Sequence, residues 1–250
     1  MKEITFELTN KCFNKCLHCS SYADPNRVDI LDIGVIKDTI DKYNPEYVNI
    51  SGGEPMLYLR VYELLEYLNR KNIKVNLYTS GYGYSIAEIE NISSYKYAIN
   101  TIVFPVHSDR RNIFNFMADT NSYSETMLSI DAALKFNMNV SIHIVPTTVN
   151  IYSLDDTIQY LISIGIKEIK LLKLVNQGRC FNNQYLILDD RILKEQINYL
   201  FKKYYDVVKI GLPFSSGKCT AGIDKLVMLA NGIIIPCESY KDGYSKCKRI

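Results

Sequence analysis

The 250-residue chain is 47% hydrophobic and 22% charged, which is ordinary for one large domain with a substantial core. Its 29 basic and 27 acidic residues give a net charge of +2, so charge offers no argument for nucleic acid or a membrane surface as a partner. The chain opens with charged residues and has no apolar run near the roughly 18 residues that span a bilayer, so we expect a cytoplasmic protein without a targeting segment. Its seven cysteines are then better suited to metal ligation or reactivity than to disulfides.

Strand-like and helix-like segments alternate from the first residues onward. Strands are predicted at residues 3–8, 47–51, 74–79, 100–106, 140–145 and 168–174. Helices are predicted between or after them, at 34–42, 57–71, 86–93, 122–136, 154–164 and 190–204. Six such pairs predict an α/β fold with a parallel sheet, either a partial (β/α)6 TIM-like barrel or a doubly wound sheet, in which ligands gather at the carboxyl ends of the strands. We adopt the partial barrel.

The alternation stops after about residue 206. Two apolar runs, 225–229 and 233–236, flank Asn231-Gly232, which predicts a β-hairpin with a two-residue turn in which both turn residues have positive φ. We therefore expect a barrel core over residues 1–205 and a small C-terminal β-hairpin extension over residues 206–250.

The first chemical motif follows the first predicted strand. Cys12, Cys16 and Cys19 form a CxxxCxxC pattern, and three thiolates on one short loop can surround a soft metal centre. A structural zinc site normally takes four ligands, and no fourth ligand with the usual spacing follows; buried free cysteines are the other alternative. Three cysteines on a four-iron cluster leave one iron open to chelate a small molecule.

This loop resembles the defining motif of the radical S-adenosylmethionine (SAM) superfamily. The resemblance implies that Cys12, Cys16 and Cys19 hold a [4Fe–4S] cluster whose open iron binds the amino and carboxylate groups of SAM. It also implies an enzyme in which the reduced cluster cleaves SAM to methionine and a 5′-deoxyadenosyl radical, which abstracts hydrogen from a substrate. His18 fills a position that is usually aromatic in the family and is expected to pack near the adenine.

The second motif ends the second predicted strand. Gly52 and Gly53 by themselves indicate only a turn; the functional interpretation is a backbone open to a ligand, with Glu54 available for an ammonium group. Together with Pro55 they are similar to the GGEP motif of the same family, which implies that these four residues bind the SAM amino group.

Weaker similarities follow at later strand ends, so that the resemblance spans roughly residues 3–180. Ser80 resembles a hydroxyl that the family often places near SAM, and a polar turn is the alternative. Asn150 resembles a recurrent asparagine near SAM. His107 lies at the end of the fourth predicted strand and is either structural or a substrate contact.

The tail carries a third pattern. Cys219 and Cys237 bracket the predicted hairpin, with a spacing similar to the opening of the SPASM and twitch extensions, which hold auxiliary clusters in many members of the family. The resemblance implies one auxiliary [4Fe–4S] cluster with Cys247 as a third ligand, in a shortened extension that lacks the further cysteine run of a full SPASM domain. Two unrelated buried thiols are the alternative. Cys180 is an auxiliary ligand, a hydrogen donor to a substrate radical or an inert thiol.

The expected reaction is modification of a ribosomally made peptide or protein. Oxidation or rearrangement of a small metabolite (a sugar, alcohol or nucleotide) is the alternative. A non-catalytic iron–sulfur redox protein is a distant third, because an electron carrier has no use for a SAM amino-group site. An external electron donor such as flavodoxin or ferredoxin is the expected partner, with no membrane or nucleic acid.

Overall fold

A computed structural model describes residues 1–211, 214 and 218–242. In these ranges nine strands form one sheet: β1 (Glu3–Glu7), β2 (Tyr47–Ser51), β3 (Lys74–Tyr78), β4 (Ile99–Pro105), β5 (Val140–Ile144), β6 (Glu168–Leu171), β7 (Val208–Ile210), β8 (Lys225–Met228) and β9 (Ile234–Ile235). The helices of the same part of the chain are α1 (Ile33–Tyr43), α2 (Val61–Arg70), α3 (Ile86–Ser93), α4 (Arg111–Ala118), α5 (Tyr123–Lys135), α6 (Leu154–Ser163) and α7 (Asp190–Lys203).

The sheet is parallel over most of its width. Its strand order is β7-β6-β5-β4-β3-β2-β1-β8-β9, and only β8 and β9 pair in the antiparallel direction. Because β1 to β7 all run the same way, their carboxyl ends lie along one edge, which is where parallel sheets bind ligands. The α/β prediction with a parallel sheet is confirmed.

The two faces of the sheet differ in polarity because strand side chains alternate in direction. Ile4 and Phe6 of β1 and Ile50 of β2 are at most 1% exposed and belong to the core between sheet and helices. Leu64 and Leu68 of α2 bring the matching apolar stripe to that core. The outer layer therefore supplies the hydrophobic stabilisation.

The inner face of the sheet carries polar side chains that bond to one another across the strands. Thr5, Asn49 and Asn76 lie in register on β1, β2 and β3. The Asn49 amide donates to the Thr5 hydroxyl at 3.1 Å, and the Asn76 amide donates to the Asn49 side-chain oxygen at 2.8 Å. A polar interior of this kind suits a ligand-binding barrel better than a second packed core.

The C-terminal hairpin is present, but its turn was predicted wrongly. Gly232 has φ = 83°, whereas Asn231 is not among the residues with positive φ. The Gly232 N–H donates to the Leu229 carbonyl at 2.8 Å, and the Leu229 N–H donates to the Ile233 carbonyl at 2.9 Å. The loop thus has three residues, with one glycine in the left-handed position, because Asn-Gly suits this turn as well as the two-residue one.

Strand β7 and helix α4 were not predicted. Strand β7 pairs with β6. Strand β8 of the predicted hairpin pairs in parallel with β1, so the hairpin continues the barrel sheet. Helix α4 begins after Arg110, which provides no side-chain cap, and its eight residues leave little periodicity to recognise.

None of the helices in the described part of the chain has the length and apolarity that a bilayer crossing requires.

Candidate functional site

The CxxxCxxC loop leaves the end of β1 and lies against the end of α4. The Lys15 N–H donates to the Ala118 carbonyl at 3.2 Å, and the Leu17 N–H donates to the Met117 carbonyl at 3.0 Å. These bonds satisfy carbonyls that the last turn of a helix leaves without partners. The unpredicted helix α4 therefore fixes the backbone of the loop.

A segment after β6 holds the same loop from another side. The Arg179 N–H donates to the Cys19 carbonyl at 2.8 Å, and the Arg179 guanidinium donates to the Cys16 carbonyl at 2.9 Å. The Asn183 amide donates to the Leu17 carbonyl at 3.1 Å. Gly178 has φ = 58°, and a Cβ there would lie 2.4 Å from the Cys19 carbonyl oxygen. The sequence analysis did not predict that this segment supports the cysteine loop. The Gly178-Arg179 pair was the signal that could have indicated it.

The three thiols form one electrostatic group. Burial, then the charges of Glu54 and Cys16, raises the pKa of Cys12 well above its usual range, and burial with the Cys19 charge raises the pKa of Cys16 to about 12. A bound cation would offset the cost of burying the thiolate charges and the repulsion between them, so these thiols would ionise on metal binding.

Three cysteines on one loop are a donor set that suits an iron–sulfur cluster. Among residues 1–211, 214 and 218–242, no three Cys, His, Asp or Glu side chains converge closely enough to hold one ion. A cluster does not need that convergence, because each of its thiolates binds a different iron. Cys12, Cys16 and Cys19 would hold the cluster, which supplies a redox centre when bound.

The glycines after β2 allow two loops to approach closely. The Gly53 N–H donates to the Thr9 carbonyl at 2.6 Å, and the Glu54 N–H donates to the Lys11 carbonyl at 2.8 Å. A Cβ at Gly53 would lie 2.2 Å from the Lys11 carbonyl oxygen, and one at Gly52, where φ is 135°, would lie 2.4 Å from the Thr9 carbonyl oxygen. This pairing places the GGEP segment directly beside the cysteine loop.

Glu54 is fully buried and organises the ends of two strands. Its carboxylate accepts hydrogen bonds from the Thr79 hydroxyl at 2.7 Å, the Ser80 hydroxyl at 2.6 Å, the Ser80 N–H at 2.8 Å and the Met56 N–H at 3.2 Å. Burial raises the pKa of Glu54, and the hydrogen bonds oppose that rise. Pro55 then begins a short 3₁₀ turn, Pro55–Leu57.

Two histidines, the buried His107 and the partly buried His18, meet beside the cysteine loop. The rings of His18 and His107 are 4.6 Å apart at 81°, an edge-to-face contact. Burial lowers the pKa of His18 to about 4 and that of His107 well below its usual range, so both rings are neutral at pH 7. Asn150 is also fully buried; its amide donates to the His107 carbonyl at 2.9 Å, and its oxygen accepts from the Thr147 N–H at 2.7 Å.

The segment after β9 crosses the inner face of the sheet at β1. The Thr5 hydroxyl donates to the Glu238 carboxylate at 3.3 Å. Lys241 forms an ion pair with Glu7, in which the side chains are 8% and 5% exposed, and donates to the Ser21 hydroxyl at 2.6 Å. The C-terminal segment thereby touches the chain two residues after Cys19.

The remaining cysteines lie in different environments. Cys237 is buried, Cys219 is exposed and Cys247 lies outside the described residues. Cys180 is fully buried in a small apolar cluster, together with Met117, and burial raises the pKa of its thiol.

Comparison with known proteins defines the class. The model of the radical SAM superfamily matches residues 6–161, which is more than half of the chain. The chain therefore belongs to this superfamily, and the prediction of a radical SAM enzyme that uses a [4Fe–4S] cluster and SAM is confirmed. The individual ligands, the domain division and the auxiliary cluster stay predictions.

Individual relatives differ in what they act on. The chain is similar to the antilisterial bacteriocin subtilosin biosynthesis protein AlbA of Bacillus subtilis, with 24% identity over 252 residues, covering 96% of this chain and 56% of AlbA. It is also similar to a probable GTP 3′,8-cyclase of Sulfurisphaera tokodaii, with 22% identity covering 95% of this chain and 81% of the relative. The chain thus spans a little over half the length of AlbA.

Solved structures support the fold. Streptococcus suis SuiB bound to its precursor peptide SuiA matches with a TM-score of 0.77 and 15% identity, covering 99% of this chain and 62% of SuiB. The enzyme anSMEcpe with bound AdoMet also matches with a TM-score of 0.77, at 17% identity, covering 96% of this chain and 75% of the other. These matches confirm the partial barrel prediction.

Proposed function

We propose that this chain cleaves SAM reductively on a [4Fe–4S] cluster bound by Cys12, Cys16 and Cys19, and that it modifies a ribosomally made peptide or protein. The observation that carries the proposal is a loop with three cysteines, paired through its backbone with the GGEP segment. When bound, the cluster and SAM supply an electron and a carbon-centred radical that removes hydrogen from the substrate.

The residues around the loop have distinct parts in this proposal. Gly52, Gly53 and Pro55 shape a backbone turn that approaches the SAM amino group. Glu54 carries the charge that attracts an ammonium group to the vicinity of Cys12, whose pKa it already affects. Ser80 fixes that carboxylate through two hydrogen bonds.

Two further residues line the proposed SAM site. His18 presents an aromatic ring toward the adenine, and Asn150 holds the ends of β4 and β5 together through the carbonyls of His107 and Val145. Asn150 is buried and His18 is partly buried, so a substitution at either position would alter the shape of the site.

The peptide substrate is supported by one relative and one structural neighbour. AlbA is a bacteriocin biosynthesis protein, and SuiB was solved with a precursor peptide. The probable GTP 3′,8-cyclase, of which the chain covers a larger share, favours the second candidate, a small metabolite such as a nucleotide.

The remaining parts of the proposal concern the tail and the partners. Cys219, Cys237 and Cys247 hold one auxiliary [4Fe–4S] cluster in an extension over residues 206–250, and residues 1–205 form the core. An external electron donor such as flavodoxin or ferredoxin reduces the first cluster. The cytoplasmic location stays a prediction from the sequence.

The test is anaerobic reconstitution with iron and sulfide, followed by iron counting and electron paramagnetic resonance of the reduced protein with and without SAM. About eight irons in the wild type and about four in a Cys12/Cys16/Cys19→Ala variant are expected for two clusters. SAM should change the spectrum of the wild type and leave that of the variant unchanged.

Cys180→Ala is the matched control, because it removes a buried thiol outside the loop. It should keep the spectral response to SAM. About four irons in the wild type and none in the triple variant would contradict the auxiliary cluster and leave the first cluster supported. A wild-type cluster that does not respond to SAM would contradict the proposed function.

A further inference from the structure

The inner face of the sheet carries a group of polar side chains that neither the cysteine loop nor the GGEP segment uses. Lys170 of β6 and His143 of β5 are direct register partners, so both side chains point to the same face. Ser141 lies two residues before His143 on β5, so its side chain points to the same face. Val103 of β4 is the register partner of both Ser141 and Tyr78, which places Tyr78 of β3 at the same level of the sheet. We call Tyr78, Ser141, His143 and Lys170 the inner polar group.

Two members of the group are in direct ring contact. The Tyr78 and His143 rings are 5.5 Å apart at 69°. Burial, together with the Lys170 charge, lowers the pKa of His143 to about 3, so its imidazole is neutral at pH 7 and offers one N–H donor. Burial and the charges of nearby carboxylates raise the pKa of Tyr78, so its hydroxyl also remains a donor.

The inner polar group lacks hydrogen-bond and ion-pair partners in the described part of the chain. Lys170 forms no ion pair there, and neither the Tyr78 hydroxyl nor the His143 imidazole forms a hydrogen bond. The Ser141 hydroxyl is buried and also unpartnered. None of the Asp and Glu side chains in residues 1–211, 214 and 218–242 forms an ion pair with Lys170.

Lys241 shows the contrasting case on the same face. Its ammonium is paired with Glu7 and bonded to two serine hydroxyls. Partly buried lysines are normally paired in this way, because an uncompensated charge is costly to remove from water. Lys170, His143 and Tyr78 are all partly exposed, so a ligand that enters the barrel can reach them.

We propose that Lys170, His143 and Tyr78 bind a single carboxylate of the substrate, either an acidic side chain or the C-terminus of a peptide. The Lys170 ammonium, the His143 imidazole and the Tyr78 hydroxyl can each donate a hydrogen bond to the oxygens of one carboxylate. Hydrogen bonds to an ionised group are stronger than those between neutral groups. The inference rests on the proposed function, whose substrate site it specifies.

The charges of the interior favour one carboxylate over a polyphosphate. The charges of Glu238, Glu3 and Glu168 raise the pKa of Tyr78, so carboxylates of this chain already act on the inner polar group. A nucleoside triphosphate brings several negative charges, and Lys170 is the cation of the inner polar group. The peptide candidate therefore suits this face better than the nucleotide candidate does.

The test is nuclear magnetic resonance of cluster-reconstituted protein labelled with ¹⁵N-histidine, which has only three imidazoles to resolve. His143→Gln assigns the His143 signals. The probes are N-acetyl-glutamic acid amide, its uncharged isostere N-acetyl-glutamine amide, inorganic phosphate and GTP. The glutamic acid probe should shift the His143 signals in a saturable way, and the glutamine probe should not.

Variants identify the ammonium that is responsible. Lys170→Gln should weaken binding of the glutamic acid probe by roughly tenfold or more, since a hydrogen bond to a charged group is lost. Lys170→Arg should restore most of it. Lys167→Gln, which removes an exposed lysine three residues earlier, is the matched control and should bind as the wild type does.

The contradicting outcomes are separate from those of the proposed function. Equal shifts from both amide probes, no shift from any probe, or undiminished binding by Lys170→Gln would overturn the carboxylate site. Stronger binding of phosphate or GTP than of the glutamic acid probe would overturn the peptide assignment. Each readout is independent of SAM cleavage, so a failure here leaves the cluster assignment to its own test.

Discussion

Glu54 connects three parts of the site through one buried carboxylate. It receives hydrogen bonds from the ends of β2 and β3, and its charge reaches Cys12. The sequence predicts the GGEP motif because its residues are contiguous. It does not predict that the carboxylate is fully enclosed, because Thr79 and Ser80 reach it only once β3 lies beside β2.

Replacing Glu54 by Gln should lower the free energy of unfolding by about 1–3 kcal/mol, because the amide nitrogen cannot accept the bonds from Thr79 and Ser80. Urea denaturation of the cluster-free protein measures the change. Glu66→Gln alters an exposed, weakly paired carboxylate on α2 and should change the stability little. A Glu54 variant as stable as the wild type would contradict the structural part of this account.

Gly53→Ala should disturb the cysteine loop without touching a cysteine. Its Cβ would lie 2.2 Å from the backbone of Lys11, so the two paired loops must separate. We expect a clear loss of iron per chain after reconstitution. Gly34→Ala is the control, since its Cβ meets only the Asp32 carboxylate, and it should retain full iron. Equal iron contents in both variants would show that the loop pairing does not matter for the cluster.

At the scale of elements, β1 receives the C-terminal segment on its inner face. β8 pairs with β1 in parallel, and the Lys241–Glu7 ion pair fastens the chain after β9 to the same strand. The hairpin was recognisable from its two apolar runs. Its position beside β1 was not, because the contact joins residues more than 200 positions apart.

Breaking that ion pair should be costly from either side. Lys241→Met leaves Glu7 buried without its counter-ion, and Glu7→Gln does the same to Lys241, so each should lower the free energy of unfolding by roughly 3 kcal/mol. The double variant should lose much less than the sum of the two, because it leaves no unpaired charge. Strictly additive losses in denaturant titrations would mean that the two side chains do not interact.

At the scale of the whole molecule, residues from distant parts of the chain meet around a loop that was predicted from local spacing. Cys12, Cys16 and Cys19 were recognisable because their spacing is local. Arg179 and Lys170 were not, because their roles depend on strand order and register. A parallel sheet brings such residues together only after every crossover is placed.

The three histidines predict how stability depends on pH. Their folded-state pKa values are lowered, to about 4 for His18 and about 3 for His143, so the unfolded chain binds more protons in mild acid. The stability that these neutral histidines contribute is complete above their ordinary pKa and is lost as pH falls below it, by roughly 2 kcal/mol at pH 5 for each of His18 and His143.

His107→Leu should therefore make the stability less dependent on pH. His107 is 2% exposed, and its Nδ1 atom has no hydrogen-bond partner among the described residues. Urea denaturation at pH 7 and pH 5 should show a smaller loss for the variant than for the wild type. Parallel losses in the two proteins would mean that His107 is not held neutral.

The central claim is that the loop of Cys12, Cys16 and Cys19 supports reductive cleavage of SAM. The most direct measurement is 5′-deoxyadenosine formed from SAM by anaerobically reconstituted protein after reduction with dithionite. The account predicts the nucleoside from the wild type and from Cys180→Ala, and none above background from the Cys12/Cys16/Cys19→Ala variant. Equal nucleoside from the triple variant, or none from a wild type that holds its cluster, would contradict it.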